Sequence, residues 1–585
     1  MLVFGDASDR IDTRARLREI AAAAGAGLEI EGGQPGYWAA CELFLSAAEL
    51  AQGLIDLEFE ARGADCDSPL NDAATQLVLS AARVLVRSWR GEPGESGGMK
   101  TALAALGRLP LPESVSCRRP EGYSFYAVYP EAYIEAAAQL GEVPIQAIGI
   151  RSIGLGLAAV IAAATGAAAP ISVRPVGHPF QRQLSLSPAL RRRLLRLNPA
   201  AGFAVADEGP GLSGSSFFAV IDLLTGGGIE EERIRLFPSH PGQPGGEAPA
   251  AKRERWHRLQ RHVLEFDALY RWIPEPERRL DFWFADITGP PIEPLKDISW
   301  GSWRYEFYGH DTALWPASDV QQERRKFLLT TAKGTFLLKF AGLGRYGREK
   351  LARARVLHEA GFVPEMLAFA HGFTVERWVP ERPADLGVMP RERLLARLAE
   401  YLIFRAQHFS GPQRAGASPE ELATMLRQNG VEALGAEAEH SLARFCALGP
   451  MAAQRMVATD NRMHAWEWLS DAEGSLLKAD AVDHCAAHDL IGAQGIAWDV
   501  AGAGVELSLS ADEQRDLAAR VGRALGEGTD DRLLVFTTAC YLAFQLGYYS
   551  MAASALAGVP EEQARLLART RLYRGELAGL LARSL

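Results

Sequence analysis

Apolar residues recur at three- and four-residue spacing along the first 120 residues of the chain. The pattern is clearest over residues 14–24, 38–59 and 73–89. Such spacing places the apolar side chains on one face of an α-helix. We therefore expect residues 1–120 to form a helical N-terminal region, and no set of catalytic residue types stands out in it.

The pattern changes over residues 121–240, where short apolar runs alternate with helical spacing. The runs predict strands over 145–150, 171–173, 203–206 and 233–237, with helices over 155–165 and 217–224. Strands that alternate with helices form a parallel sheet with right-handed crossovers. Residues 121–240 are therefore predicted to be an α/β domain.

Proline and glycine dominate residues 240–251, which indicates a linker. A charged helix is predicted over 252–273, and a group of tryptophans follows. They either pack together or form a base-stacking platform, and they are Trp272, Trp283, Trp300, Trp303 and Trp315. We expect residues 241–315 to be a linker followed by a tryptophan-rich helical subdomain.

Two apolar strands around a turn at 332–334 predict a hairpin over residues 326–339. The chain from residue 381 onward shows helical spacing, apart from one strand-like stretch that ends at Asp480. Residues 316–585 are therefore predicted to be a second unit, with a small lobe over 316–380 and a large lobe over 381–585.

Length and charge narrow the class of protein. A chain of 585 residues is too long for one core and predicts three or four domains. The net charge of −10 argues against a nucleic-acid binder, although the arginines at 191–193 and 196 either face solvent or contact an anionic substrate. The six cysteines show no CxxC spacing, and no apolar run reaches the roughly 20 residues of a membrane span. We expect a cytoplasmic protein without a signal peptide or a membrane partner.

Two adjacent carboxylates, Asp207 and Glu208, follow the strand predicted over 203–206. A loop of glycine and serine comes next and leads into a helix. A buried strand that feeds such a loop aims backbone N–H groups at a phosphate. Carboxylates at the strand end would repel a triphosphate, but they suit the two hydroxyls of a ribose.

This stretch resembles the phosphoribosyl-pyrophosphate (PRPP) loop of type I phosphoribosyltransferases, although Ser215 and Ser216 stand where Gly-Thr is usual. The resemblance implies PRPP as a substrate and implies that Asp207 and Glu208 hold the ribose hydroxyls. It also implies that the 5′-phosphate is wrapped by residues of the loop, namely Gly211, Ser213, Gly214, Ser215 and Ser216.

An upstream loop at residues 149–154 ends one predicted strand and opens a helix. This position could surround an anion with backbone N–H groups and the side chain of Arg151. In type I phosphoribosyltransferases the corresponding loop binds pyrophosphate. The resemblance therefore assigns Arg151, Ser152 and Gly154 to the diphosphate of PRPP.

The same resemblance places a flexible loop at residues 173–182, which closes over the leaving pyrophosphate. Its candidate cations are Arg174, His178 and Arg182. Loss of pyrophosphate passes through an oxocarbenium-like transition state. Mg²⁺, cationic side chains and the exclusion of water neutralise the departing charge in such a site.

The second unit carries a different arrangement. Lys339 ends an apolar strand, and Glu349 lies about ten residues later in a helical run. A strand lysine paired with a helix glutamate orients nucleotide phosphates in kinases. Residues 361–364 and 373–379 resemble the strand and hinge of aminoglycoside phosphotransferase-like, or choline-kinase-like, proteins. The backbone of Glu376 to Trp378 would then face the adenine of ATP.

Residues 459–469 occupy the place of the catalytic loop in that family. The resemblance implies that Asp460 orients the acceptor hydroxyl, and that Asp480 binds metal. The family's metal-binding Asn would fall at Ala465, so Glu467 is the nearest replacement. Asp460, Glu467 and Asp480 form an oxygen-rich set suited to Mg²⁺. Asp499 matches a structural aspartate of the family.

His484 and His488 flank Cys485, with Asp483 and Asp489 beside them. They either bind a transition metal or shape the acceptor pocket beside Asp480.

The sequence thus predicts an α/β multidomain protein. It combines a parallel-sheet phosphoribosyltransferase fold and a bilobal α+β kinase-like fold with a helical N-terminal region. The predicted function is bifunctional: a PRPP- or nucleotide-binding phosphoribosyltransferase and an ATP-dependent small-molecule kinase, in the synthesis or modification of a nucleotide-like metabolite. The alternatives are a nucleotide-sensing regulatory protein with a degenerate kinase fold and, third, a nucleic-acid modifier. The expected partners are small molecules, with a homodimer as one oligomeric state.

Overall fold

The computed structural model describes residues 1–4, 8–25, 34–92, 97–141, 143–196, 202–380, 384–410, 416–449, 454–471, 474–484, 491–528 and 530–583. No helix among these residues is long and apolar enough to cross a membrane.

Helices dominate the N-terminal region, as the apolar spacing predicts. They are α1 (Thr13–Gly25), α2 (Gln34–Arg62), α3 (Pro69–Arg90) and α4 (Gly97–Gly107). Ser68 caps the first turn of α3 through its side chain, and Gly91 ends that helix with a φ of 68°. Two antiparallel strands, β1 (Ser8–Asp12) and β2 (Ser114–Arg118), complete the region. Gly53 in α2 allows the close approach of β2, because a Cβ there would lie 2.5 Å from the sulfur of Cys117.

The predicted parallel sheet is present in the next region. Its helices are α5 (Glu121–Ser124), α6 (Pro130–Ala138), α7 (Gly154–Thr165), α8 (Pro188–Leu195), α9 (Ser215–Gly226) and α10 (Ala250–Arg258). Its strands are β3 (Ile145–Ile150), β4 (Ile171–Val173), β5 (Pro175–Val176), β6 (Gln183–Leu184), β7 (Gly202–Ala206), β8 (Ile234–Phe237) and β9 (Gln260–Arg261). The short strands β5 and β6 form an antiparallel hairpin. The other five are parallel, in the order β4-β3-β7-β8-β9.

The sheet extends beyond the predicted boundary at residue 240. The proline- and glycine-rich stretch leads into α10, which carries the chain back to add β9 at the sheet edge. The stretch is therefore a crossover within one unit, where sequence analysis predicted a linker between two.

Short elements occupy the tryptophan-rich segment. They are α11 (Phe266–Tyr270), α12 (Ala285–Thr288), β10 (Lys296–Asp297) and α13 (Arg304–Tyr308). Trp283 packs against Tyr270 with ring centroids 5.0 Å apart, and Trp303 donates a hydrogen bond of 2.8 Å to Glu323. Trp272 and Trp300 are exposed. The segment thus buries part of its aromatic surface and leaves part in solvent.

A five-stranded antiparallel sheet opens the second unit. It contains β10 together with β11 (Lys326–Thr331), β12 (Gly334–Phe340), β13 (Met366–Ala370) and β14 (Phe373–Arg377), in the order β10-β11-β12-β14-β13. Helix α14 (Arg345–Glu359) lies between β12 and β13 in the chain. The predicted hairpin is confirmed as β11 and β12. The sheet begins before residue 316, because β10 pairs with β11.

The large lobe is mostly helical, as predicted. Its helices are α15 (Arg391–His408), α16 (Pro419–Leu434), α17 (Glu439–Cys446), α18 (Ala497–Glu506), α19 (Ala511–Leu525), α20 (Asp531–Ala555) and α21 (Pro560–Leu581). The strand-like stretch before Asp480 is the second half of a hairpin of β15 (Trp468–Ser470) and β16 (Leu476–Lys478).

One continuous hydrophobic core crosses the predicted domain boundaries. It joins N-terminal helices, a helix of the parallel-sheet unit and strands of the small lobe, through residues such as Leu50, Leu77, Leu157, Phe340 and Phe373. The large lobe has two further clusters, and the opposite face of the parallel sheet has its own. The N-terminal region, the parallel-sheet unit and the small lobe therefore share one hydrophobic core.

Candidate functional site

A cleft of about 150 Å³ lies between the five-stranded sheet and the large lobe. Its sheet side carries Lys339 on β12 and Glu376 on β14. Both face the cleft because Leu337, two residues from Lys339, pairs with Glu376 in register, and alternate residues of a strand share a face. Asp480 and Asp483 line the opposite side.

The ammonium group of Lys339 contacts both Asp480 and Asp483. Burial lowers the pKa of Lys339, and the Asp483 carboxylate opposes that shift. Burial alone would raise the pKa of Asp483, but Lys339, Lys350 and Arg324 hold it well below its ordinary range. Sequence analysis placed Asp480 here but gave Asp483 no place beside Lys339.

Helix α14 brings a different side chain to the carboxylates of the cleft than the sequence predicted. Glu349 is exposed and pairs with Arg345 at 3.3 Å, one turn earlier on the same helix. The neighbouring Lys350 is buried, and its ammonium group lies 2.7 Å from Asp483. The predicted Lys339–Glu349 pair is therefore not formed, because the helix turns residue 350 inward and residue 349 toward solvent.

Glu467 lies in the cleft close to Asp480. His484 stands between them, with Nε2 3.6 Å from Glu467 Oε1 and 3.8 Å from Asp480 Oδ2. Burial would raise the pKa of Glu467, but Lys478 and His484 hold it well below its ordinary range. Burial lowers the pKa of His484 to about 4. The carboxylates of Glu467, Asp480 and Asp483 are hard oxygen donors, so this side of the cleft fits Mg²⁺.

His484 thus contacts the cleft carboxylates. Residues 485–490 lie outside the described part of the chain, and the predicted roles of Cys485, His488 and Asp489 with them.

Asp460 is fully buried and does not line the cleft. Its carboxylate accepts a hydrogen bond from Tyr401, and Lys478 Nζ lies 3.3 Å from it. Asp499 accepts the backbone N–H groups of Asp460 at 2.7 Å and Asn461 at 2.9 Å, which fixes the loop. This matches the structural role predicted for Asp499, whereas the predicted base at Asp460 is enclosed by its own partners.

The cleft side of this loop carries Arg462 instead. The kinase motif H-R-D-x-x-x-x-N separates the base from the metal-binding amide by five positions. Glu467 lies beside Asp480, where that amide is expected, and the residue five positions earlier is Arg462. The sequence prediction counted from Asp460 to Ala465 and took Glu467 as the nearest replacement, and the role of Asp460 as the base stays a prediction.

The predicted hinge forms one edge of the cleft. The side chain of Glu376 lines the cleft, and burial raises the pKa of its carboxyl group to about 7. The backbone N–H of Trp378 donates to the carbonyl of Thr335 at 3.2 Å. The Trp378 ring packs on Phe307, with centroids 5.2 Å apart.

A second cavity, of about 820 Å³, opens at the carboxyl end of the parallel sheet and contains Asp207 and Glu208. These residues follow β7, which lies beside β3 at the point where the strand order reverses. Open α/β sheets bind ligands at such a point. Burial raises the pKa of Asp207 to about 7, and burial together with Asp207 raises that of Glu208 to about 8. Glu208 accepts the backbone N–H of Gly122 at 2.8 Å.

The glycine–serine loop connects β7 to the N-terminus of α9, as predicted. Gly214 adopts a φ of 67°, and Ser215 and Ser216 open the helix. The hydroxyl of Ser215 donates to the carbonyl of Pro179 at 2.6 Å, and that of Ser213 donates to it at 3.4 Å. The β5–β6 hairpin therefore covers this loop. Gly211, with a φ of 56°, is exposed.

Arg151 and Arg174 lie in a buried ion-pair network. Arg151 Nε donates to Asp56 at 2.8 Å, and its guanidinium also contacts Asp65. Arg174 Nε donates to the same Asp56 at 2.9 Å. The predicted contacts of both arginines with pyrophosphate are thus taken by carboxylates of the N-terminal region. No sequence pattern singled out Asp56 and Asp65, because they lie more than 80 residues away on an unrelated helix and its end.

The other residues of the predicted diphosphate site separate in space. Ser152 lines a different cavity, of about 590 Å³, against α2 and α14. Gly154 closes tightly on β7, since a Cβ there would lie 2.6 Å from the carbonyl oxygen of Ala206. Arg182 donates to the carbonyl of Gly177 at 2.8 Å within the hairpin, and His178 is exposed.

No protein-family model matches this chain, and no curated protein matches it. Similar solved structures are kinases and phosphotransferases. A choline/ethanolamine kinase family protein of Mesorhizobium loti is 18% identical, with a TM-score of 0.31, and the match covers 44% of this chain and 88% of that one. Spectinomycin phosphotransferase APH(9)-Ia, in complex with ADP and spectinomycin, is 12% identical over 52% of this chain and 96% of that one, with a TM-score of 0.35. Choline kinase LicA of Streptococcus pneumoniae is 11% identical over 43% and 90%, with a TM-score of 0.30. Similarity at this level assigns no substrate to this chain.

Proposed function

We propose that residues 316–585 bind ATP with Mg²⁺ and transfer its terminal phosphoryl group to a hydroxyl of a small molecule. The observation that carries the proposal is the position of Lys339, whose ammonium group meets Asp480 and Asp483 in the cleft. Kinases use a strand lysine to hold nucleotide phosphates and an aspartate to hold the metal. Residues 376–378, at the end of the neighbouring strand β14, line the same cleft, which supports placing adenine against their backbone.

The charges of the cleft support an anionic phosphate chain. Arg324, Lys339 and Arg462 line it, and Lys350 contacts Asp483 beside it. Phosphoryl transfer depends chiefly on positioning and on neutralising charge, which these cations would do. Asp480 and Glu467 would hold Mg²⁺, which would supply positive charge beside the phosphates.

Calorimetric titration of the full chain with ATP and Mg²⁺ tests the binding step. Lys339→Ala is expected to weaken ATP binding about tenfold or more, because it removes the cation opposite the phosphates. Lys333→Ala is the matched control. Lys333 lies in the turn of the same hairpin, away from the cleft, and its ammonium group donates a hydrogen bond of 2.7 Å to the carbonyl of Ile287 on α12. A wild-type chain that does not bind ATP would refute the proposal.

A second candidate is a nucleotide sensor that does not transfer phosphate. It is favoured by one observation, namely that the Asp460 carboxylate is buried against Tyr401 and Lys478 while Arg462 faces the cleft. Transfer of the radiolabelled terminal phosphoryl group of ATP to a panel of sugar, amino-alcohol and nucleoside acceptors, with ADP as the other product, separates the two candidates. Tight ATP binding without turnover on any acceptor supports the sensor.

We also propose that the cavity at Asp207 and Glu208 binds PRPP or another ribose phosphate. The acidic pair lies at the reversal of strand order, and the loop after it leads to a helix N-terminus, which supports the proposal. The hydroxyls of Ser213 and Ser215 would have to leave the Pro179 carbonyl before they could face a phosphate. Binding therefore requires the β5–β6 hairpin to move.

Thermal shift and pyrophosphate release with PRPP test this site. PRPP is expected to raise the melting temperature of the wild type, and Asp207→Asn to abolish the rise. Asp222→Asn, on the outer face of α9, is the control and should respond like the wild type. If PRPP neither stabilises the chain nor releases pyrophosphate with any nucleobase, the ribose-phosphate site is refuted and the ATP site is unaffected.

A further inference from the structure

Three buried side chains from separate parts of the chain converge between the N-terminal helices, the parallel-sheet unit and the small lobe. They are Cys41 on α2, Glu131 on α6 and His371 in the turn between β13 and β14. Their exposed fractions are 1%, 0% and 7%. The sulfur, a carboxylate oxygen and a ring nitrogen all lie within 4.8 Å of one another.

Among the described residues, only one of the two carboxylate oxygens of Glu131 has hydrogen-bond partners. Its Oε1 accepts a hydrogen bond from the Tyr270 hydroxyl and lies 2.5 Å from His371 Nε2. Its Oε2 is buried and completes no hydrogen bond of good geometry with the part of the chain that the structure describes. The Tyr37 hydroxyl is near enough to help lower the pKa of Glu131, but its geometry completes no hydrogen bond either. A buried carboxylate oxygen without a partner is costly, so it calls for a ligand.

We propose that Cys41, Glu131 and His371 bind one zinc ion. A thiolate, a carboxylate and an imidazole are ligands that zinc takes in tetrahedral sites. At bond lengths of about 2.0–2.3 Å, neighbouring donor atoms of a tetrahedron lie about 3.5 Å apart. The 2.5 Å separation of Glu131 Oε1 and His371 Nε2 would therefore lengthen by about 1 Å, and the widest separations, which reach up to 4.8 Å, would shorten by about 1 Å. The two anionic ligands neutralise the charge of Zn²⁺, which keeps the buried assembly uncharged.

The surroundings hold the imidazole in place. His371 has a φ of 38°, a left-handed conformation that is strained for a residue other than glycine. Its carbonyl accepts a hydrogen bond of 2.8 Å from Tyr129, and its ring stacks on Trp38 at 5.7 Å with an interplanar angle of 12°. The Tyr270 hydroxyl lies 3.4 Å from His371 Nε2 and also contacts Glu131, so it orients two of the ligands at once.

A simple histidine–glutamate ion pair would explain two of these three side chains. It would leave the Cys41 sulfur in the same small space and Glu131 Oε2 without a partner. Zinc accounts for all three. It would also tie α2 and α6 to the turn from which β14 runs into the ATP cleft.

Elemental analysis of the full chain, purified without chelators from zinc-supplemented growth, tests the site. We expect about one zinc ion per chain in the wild type. The zinc content should fall about tenfold in Cys41→Ser and in His371→Gln, because each variant removes one ligand. Cys117→Ser is the matched control, because Cys117 is also buried but donates to the Glu49 carbonyl at 3.2 Å, away from the cluster. A wild-type chain without stoichiometric zinc overturns the proposal.

Cobalt substitution keeps the test decisive if the variants fail to fold. Wild-type chain reconstituted with Co²⁺ should show a thiolate-to-cobalt charge-transfer band, since Cys41 would be a ligand. Absence of that band in a folded, cobalt-treated wild type overturns the assignment of Cys41. The result does not depend on whether ATP or PRPP binds.

Discussion

Asp460 and the pair Asp207 and Glu208 are carboxylates in opposite electrostatic settings. Asp460 is enclosed with Lys478, at 3.3 Å, and with Arg405, at 3.9 Å. Asp207 and Glu208 adjoin each other in a cavity, where burial raises their pKa values to about 7 and about 8. The first carboxylate therefore stabilises the fold through its contacts with two buried cations, whereas the pair favours a protonated state or a ligand that supplies hydroxyls.

Asp460→Asn should destabilise the protein even though the change is isosteric. It removes the anion that the buried Lys478 and Arg405 share, although Lys478 keeps Glu467 and Arg405 keeps the carbonyls of Ala458 and Ala481. We therefore expect a loss of about 1–3 kcal/mol, below the cost of a fully unpaired buried charge. Urea denaturation followed by tryptophan fluorescence measures the loss. Asp512→Asn, on the exposed start of α19, is expected to change the free energy of unfolding little. If Asp460→Asn kept full stability, the buried role described here would be incorrect.

The acidic pair should make the wild type less stable as the pH rises. The folded state keeps protons on Asp207 and Glu208 up to about pH 7 and about pH 8, while the unfolded chain releases them near pH 4. Stability is therefore lost as the pH rises through the folded pKa values. The double variant Asp207→Asn, Glu208→Gln should have a flatter profile and a higher melting temperature at pH 8. Equal slopes for both proteins in thermal melts from about pH 5 to pH 8 would contradict this.

At the scale of elements, helix α14 was predicted correctly, but the pairing of its Glu349 with Lys339 was not. The helix was predicted from its spacing, but its position on the N-terminal region decides which residues face the cleft. Arg348 contacts Glu42, and Arg345 contacts Glu49, both on α2. These contacts hold Lys350 inward and Glu349 outward.

The two neighbouring residues of α14 should therefore behave differently. Lys350→Met removes a buried cation beside Asp483 and is expected to weaken ATP binding about tenfold. Glu349→Ala removes an exposed pair with Arg345 and should leave ATP binding within about twofold of the wild type. Calorimetric titration of both variants measures the difference. Weaker binding in Glu349→Ala alone would restore the pairing predicted from sequence.

Sequence analysis reached the elements more readily than the site, for a physical reason. Apolar spacing reflects local geometry, so the parallel sheet, the β11–β12 hairpin and the large helical lobe all followed from it. The ion pairs of Arg151 with Asp56 and Asp65 depend on how two regions dock. The position of Arg462, two residues from the predicted base, depends on a loop held by Asp499. Neither the ion pairs nor the position of Arg462 can be predicted from the spacing of apolar residues.

At the scale of the whole molecule, the N-terminal region is part of the core of its neighbours. Leu50 and Leu77 share a cluster with Leu157 of the parallel-sheet unit and with Phe340 of the small lobe. The same region supplies the carboxylates that neutralise Arg151. Division of the first 380 residues into independent domains is thus incompatible with their packing.

A fragment of residues 121–585 should therefore not fold alone. It would expose the apolar surface that α2 and α3 cover and leave two buried guanidinium groups without counter-ions, a loss of several kcal/mol. We expect it to be insoluble when expressed alone and soluble when residues 1–120 are co-expressed as a separate chain. Circular dichroism melts and sedimentation measure the outcome. A soluble fragment with a cooperative melt and no partner would contradict the shared core.

Gln322 faces both the cleft that contains Lys339 and the cavity that contains Asp207 and Glu208. It accepts a hydrogen bond of 3.1 Å from Tyr548, whose hydroxyl oxygen accepts one from Arg462. Arg462 lines only the cleft and Tyr548 only the cavity, so a ligand in either chamber that displaces one of them acts on Gln322, which both chambers share. Linkage then obliges each ligand to change the affinity of the other by the same factor. If the ligands proposed for the two chambers bind, the affinity for one of them has to be measured at a stated concentration of the other.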